Sequence, residues 1–262
     1  MNPDTESQKV DLAYGMRRGI PAARIEQIHA GLPRSLDLRH LNPCLLNPLA
    51  AIDSEHKVRA RIRLAQGWHL LNEARTALIE AESCKVFYTE CEPNPSEAVY
   101  RCRFYLDDAA LRLYSSCEHL VQCGKSYWDL TLPDKPRNSR LVKVITAAEK
   151  SNLPQVSGDV ATSLRALTTG WAECMKYRND WVHNERPAIE GLDWDVSFEP
   201  WNAQDMPPAV VQALKDSGYP VTGSGKSVRV GTGRKIDELH RIVRIAYCEL
   251  FGVYEHLAPL VD

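Results

Sequence analysis

Apolar residues recur at spacings of three and four along four long stretches of the chain. Leu64, Trp68, Leu71, Ala74, Leu78 and Ala81 fall on one face of a helix over 57–83. PNPSE at 93–97 interrupts the pattern and offers Ser96 as a helix cap. Val99, Cys102, Leu106, Ala110, Leu113, Cys117, Leu120, Gly124 and Trp128 then form a continuous seam, which predicts a long helix halted near LTLPDKP. A shorter helix follows over 138–150, with Leu141, Val144 and Ile145 inward. The stretch 158–185 repeats through Val160, Leu164, Leu167, Trp171 and Cys174 and is stopped by Pro187. Leu239, Val243, Ala246, Leu250, Val253 and Leu257 predict a last helix over 235–259. Long helices with single apolar stripes bury those stripes against one another, so the expected fold is all-α, an antiparallel helical bundle.

Two regions depart from this period. Residues 1–55 carry short apolar pieces broken by Pro21, Pro33, Pro43 and Pro48, which read as short helices wrapped on the surface of a bundle formed by 56–262. Between 187 and 234, WDVSF (194–198) and SVRV (227–230) alternate like short strands that could pair as a β-ribbon, and PPAVVQALKDSG (207–218) reads as a short helix. This part is expected to be a small mixed insertion before the last helix.

Composition narrows the class. The 262 residues can bury a sizeable core, and no apolar run approaches the roughly 20 residues of a membrane span. MNPDTESQKV lacks the apolar stretch of a secretion signal, so the expectation is a soluble cytoplasmic protein without a membrane partner. Cys44, Cys84, Cys91, Cys102, Cys117, Cys123, Cys174 and Cys248 show no framework spacing and no C-x-x-C. Several sit on apolar helix faces, where a thiol behaves as a small buried hydrophobe. His119 and Cys123 lie one turn apart, but two ligands are too few for a metal site, so neither metal nor cofactor is expected. Formal net charge is −2, yet HKVRARIR (56–63) and GSGKSVRVGTGRK (223–235) are local basic runs. Lys226, Arg229, Arg234 and Lys235 of the second run are candidate phosphate contacts. VTGSGKS (221–227) imitates part of a P-loop but has Pro220 where the first glycine belongs. The residues after it alternate rather than open a helix, so it reads as a glycine-rich hairpin loop.

The chemistry concentrates in YRNDWVHNERP (177–187). The position after Cys174 on the inward stripe is 178, with Val182 following, and an arginine there is costly unless an anion meets it. Asn179 and His183 are four apart and share a face. Arg178 starts about 140° away from His183 around the helix, a gap its long side chain can bridge. The three supply a fixed cation, an amide and a titratable imidazole. A basic helix C-terminus alone would favour such residues as well. R-x4-H also occurs at Arg24 and His29, but without the adjacent Asn and the apolar stripe.

RNDWVH resembles the R-x4–6-H motif of the HEPN superfamily (higher eukaryotes and prokaryotes nucleotide-binding domains), in which a polar residue, often Asn, follows the Arg. The order of a long helix, a shorter one, the motif helix and a closing helix is also similar, over 57–186 and 235–260. The resemblance implies Arg178, Asn179 and His183 as the catalytic constellation, with Glu118 on a neighbouring helix in support. It further implies a homodimeric, metal-independent endoribonuclease, of toxin, defence or housekeeping type, that cuts RNA by 2′-hydroxyl attack and is restrained or not by an inhibitory protein partner. The alternative is a non-catalytic HEPN-like module that binds nucleotide or RNA or pairs subunits.

Overall fold

The computed structural model describes residues 19–33, 55–128, 158–183, 187–189, 207–217 and 234–261. Among these, six α-helices and a short π-helical turn account for nearly all of the chain, in keeping with an all-α fold. They are α1 (Ala22–Ala30), α2 (Glu55–Val86), α3 (Pro95–Tyr127), α4 (Gly158–His183), α5 (Pro208–Asp216) and α6 (Ile236–Val261). The chain divides into two compact units, residues 187–235 and the remainder.

In the larger unit, α2 and α3 form an antiparallel pair with the most extensive packing in the molecule. Ser116 Oγ donates to the carbonyl of Gly67 at 2.7 Å, and Arg112 joins Glu73 of α2 to Asp108 of its own helix. The apolar stripe predicted for α3 is the one buried: Cys102, Leu106, Ala110, Leu113, Cys117, Leu120 and Trp128 all lie inside. Its cap differs from expectation. Asn94, not Ser96, accepts from the Glu97 backbone N–H at 3.2 Å. Pro95 opens the helix and has no N–H to offer, so the cap must precede it. At the other end of this turn, α2 runs three residues beyond its predicted limit and closes in the π-helical turn Phe87–Cys91. Val86 is covered there by Ile20 and by Ile25 of α1, which accounts for one short helix of the N-terminal segment.

The closing helix α6 lies antiparallel to α2. Lys85 pairs with Asp237 at 2.7 Å, His240 with Glu82 at 3.5 Å, and Tyr254 reaches the level of Gly67. Leu239, Val243, Ala246, Leu250, Val253 and Leu257 are buried as predicted. On α2 one expectation changes: Trp68 is only half buried, and Gly67 takes the innermost place. The reason is steric. Tyr254 Oη donates to the Ser116 carbonyl at 2.9 Å, and a Cβ on Gly67 would stand 1.9 Å from Tyr254 Oη and 2.9 Å from His119 Cβ.

Burial of the thiols matches their sequence reading. Cys102, Cys117, Cys123 and Cys174 are free, buried and pushed up to about 12 by desolvation. Cys91 is exposed instead. Among the described residues, no helix is long and apolar enough to cross a membrane.

The second unit shows α5 and a parallel bridge between Ile189 and Arg234, whose backbone N–H donates to Ala188 at 2.8 Å. The predicted helix over 138–150, the ribbon segments 194–198 and 227–230, and the VTGSGKS loop lie outside the described residues.

The Gly67 contact yields a stability prediction. Gly67→Ala should destabilise by about 1–3 kcal/mol through overpacking. Tyr254→Phe should cost less in the Gly67→Ala background than in the wild type, because the clashing oxygen is then gone. Urea denaturation of the four proteins measures both. Additive effects would show that the two groups do not compete for one space.

Candidate functional site

The last two turns of α4 dock on the middle of α3. Leu164, Leu167, Trp171 and Cys174 are buried as the period requires. At the next turn the inward place belongs to Tyr177, which is 1% exposed, while Arg178 is half buried and Val182 is 43% exposed. The expectation of Arg178 at the centre of the stripe, with Val182 after it, is therefore corrected by one residue. A specific polar contact explains the shift. Tyr177 Oη donates to the carboxylate of Asp107, itself 3% exposed, and Arg103 Nε stands 3.8 Å from the other oxygen of that carboxylate. A buried carboxylate requires such answers, and tyrosine carries both the apolar ring and the donor.

With Tyr177 inward, Arg178 falls at the edge of the α3–α4 contact. Its guanidinium carbon lies 4.0 Å from the centre of the Tyr114 ring, a cation–π stack that orients the fork. Nη1 donates to Asn179 Oδ1 at 3.1 Å and approaches His183 Nε2 at 3.4 Å. The side chain thus bends back along the helix, as the sequence reading required. A guanidinium only donates, so the facing imidazole nitrogen is the acceptor, and the proton of a neutral ring sits on Nδ1. Arg178 Nε is buried and has no hydrogen-bond partner among the described residues. A donor desolvated without an acceptor carries a free-energy cost. His183 itself is exposed.

The structure therefore brings Arg178, Asn179 and His183 together. Glu118 is half buried on α3, one turn beyond Tyr114, and its charge is felt by Cys117 and His119. Of the predicted phosphate contacts, Arg234 and Lys235 belong to the 187–235 unit, Arg234 half buried and Lys235 exposed. Lys226 and Arg229 lie outside the described residues. His119 and Cys123 gain no third donor: among the described residues no group of three or more His, Cys, Asp or Glu is placed to hold a metal.

Sequence reasoning missed Tyr114, Asp107, Arg103 and the role of Tyr177. Arg103 and Asp107 are an i, i+4 pair flanking the Cys102–Leu106 stripe. That signal existed, but it reads equally as a solvated ion pair until α4 covers it.

No family model matches this chain, and no curated protein or solved structure is similar to it. The likeness to the HEPN motif consequently rests on the residues themselves.

The buried contact can be tested directly. Tyr177→Phe should destabilise by about 1–3 kcal/mol, because Asp107 loses the hydroxyl that donates to it from α4. Asp107→Ala should cost more, about 3–5 kcal/mol, because it leaves Arg103 charged in the interior. Chemical denaturation would contradict this arrangement if both variants stayed within about 0.5 kcal/mol of the wild type, as surface changes do.

Proposed function

We propose that the C-terminal end of α4 is the catalytic centre of a metal-independent endoribonuclease of HEPN type. The observation that supports this most is the approach of the Arg178 guanidinium to the His183 imidazole, 3.4 Å apart, with the cation held over an aromatic ring. In the proposed reaction an RNA 2′-oxygen bonds to the adjacent phosphorus while the bond to the 5′-oxygen breaks. The 2′-hydroxyl gives up its proton, the departing 5′-oxygen gains one, and the products are a 2′,3′-cyclic phosphate and a 5′-hydroxyl.

Each side chain has a task in that sequence. Arg178 stabilises the charge that builds on the phosphorane oxygens, the role in which a preoriented donor contributes most. His183, exposed at the helix end, acts as acid or base on an approaching strand. Asn179 holds the guanidinium by its side-chain oxygen, and its amide nitrogen can face the phosphate. The positive charge comes from the protein, so no step calls for a metal or cofactor. Glu118 stands as a supporting residue of this centre. In this reading two copies pair with their α4 ends facing, and exposed Val182 in the same turn supplies an apolar contact for the second subunit.

Purified protein incubated with total RNA should cleave it with and without EDTA, and His183→Ala should abolish cleavage. Arg178→Ala should lower the rate about 100-fold or more, the usual loss on removing a transition-state donor. Oligonucleotides with a 2′-deoxy residue at the cut position should resist. Equal cleavage of the deoxy substrate would contradict the mechanism. Binding without turnover, in wild type and His183→Ala alike, would establish the non-catalytic RNA-binding or dimerisation reading.

A further inference from the structure

A groove of about 570 Å³ lies between the first turns of α2 and the last turns of α3, at one end of the bundle. His56, Arg59 and Arg63 line it from α2; Gln122, Lys125 and Ser126 line it from α3. None of its described lining residues is acidic. Glu55, at the rim, pairs with Arg59, but both side chains are more than half exposed, and ion pairs of that kind are weak and readily exchanged.

We infer that this groove binds the phosphate backbone of single-stranded RNA and feeds the strand toward Arg178. The inference rests on the proposed nuclease reading in taking RNA as the ligand. Three features point to that ligand. His56, Arg59 and Arg63 recur at intervals of three and four, so they form one basic stripe about 10 Å long. A stripe of that length can meet more than one phosphate of a single strand. Second, the groove also holds groups that both donate and accept, Gln66, Gln122 and Ser126, which suit sugar hydroxyls and base edges. An anionic membrane would call instead for apolar anchors, and Ile62 alone is present.

The third feature is alignment. Lys125 is eleven residues beyond Tyr114 on α3, which places it about 20° around the helix and about 16 Å along it. Lys125 and the ring under Arg178 therefore share a face of one helix, while Gln122 and Ser126 lie about 80° and 120° around from Tyr114. Glu118 lies between them on that face, about 40° from Tyr114.

The test uses the full-length His183→Ala protein, so that binding is read apart from cleavage, with fluorescein-labelled single-stranded RNAs of 12 and 3 nucleotides. Adding Arg63→Ala and Lys125→Ala should weaken the 12-mer, which can span the groove and Arg178 together, more than the 3-mer, which can occupy either place alone. The slope of log affinity against log salt should fall in magnitude by about 1.4, as expected for two lost contacts on a single strand. A control pair on other surfaces, Arg101→Ala with Arg241→Ala, should keep the original slope. An unchanged slope in the groove variant would overturn the inference. So would binding of phosphatidylserine vesicles, but not RNA, through these residues. If the wild type cuts no RNA but the groove variant still loses the 12-mer, the groove assignment holds and the catalytic one fails.

Discussion

The buried carboxylate of Asp107 sets the arrangement of everything around the candidate site. A charge at 3% exposure must be met from within, and it is met from two sides, by Arg103 on its own helix and by the Tyr177 hydroxyl from α4. The second contact decides which way α4 faces. With Tyr177 turned inward, Arg178 comes to the edge of the helix pair, over Tyr114, and its fork bends toward Asn179 and His183. A polar core contact thus acts as the positioning device for a surface cation.

Much of this fold was legible in the apolar period. The stripes of α3 and α6 are buried nearly residue for residue, as three-and-four spacing describes. α2 was read less well. It is packed on more than one side, and a fixed stripe hides the need for Gly67, which only the approach of Tyr254 from 187 residues away makes necessary. The Ser96 cap failed for a local reason, since the proline before it moved the helix start to Asn94.

For the site, the sequence revealed the residues but not their mounting. Arg178, Asn179 and His183 stood out by type and spacing, and the structure brings them within hydrogen-bonding reach. Tyr114 and Asp107 stayed hidden because an aromatic or a carboxylate on a long helix carries no mark of what another helix will lay over it. The off-by-one placement of Arg178 follows from the same blindness: positions 177 and 178 both continue the three-and-four pattern, and only the partner's chemistry separates them. The basic run 56–63 likewise gained meaning once α3 supplied Lys125 across the groove from it.

The central claim is that the Arg178 guanidinium, stacked and with one donor unmet, is set to take a phosphate beside His183. Arginine side-chain NMR addresses it most directly. The Arg178 Nε–H resonance, assigned by its loss in Arg178→Lys, can be followed during titration with a 2′-deoxy oligonucleotide that resists cleavage. The account predicts a downfield, saturable shift that tracks a change at the His183 ring. An oligonucleotide that fails to bind, or one that binds while both resonances stay in place, would contradict it.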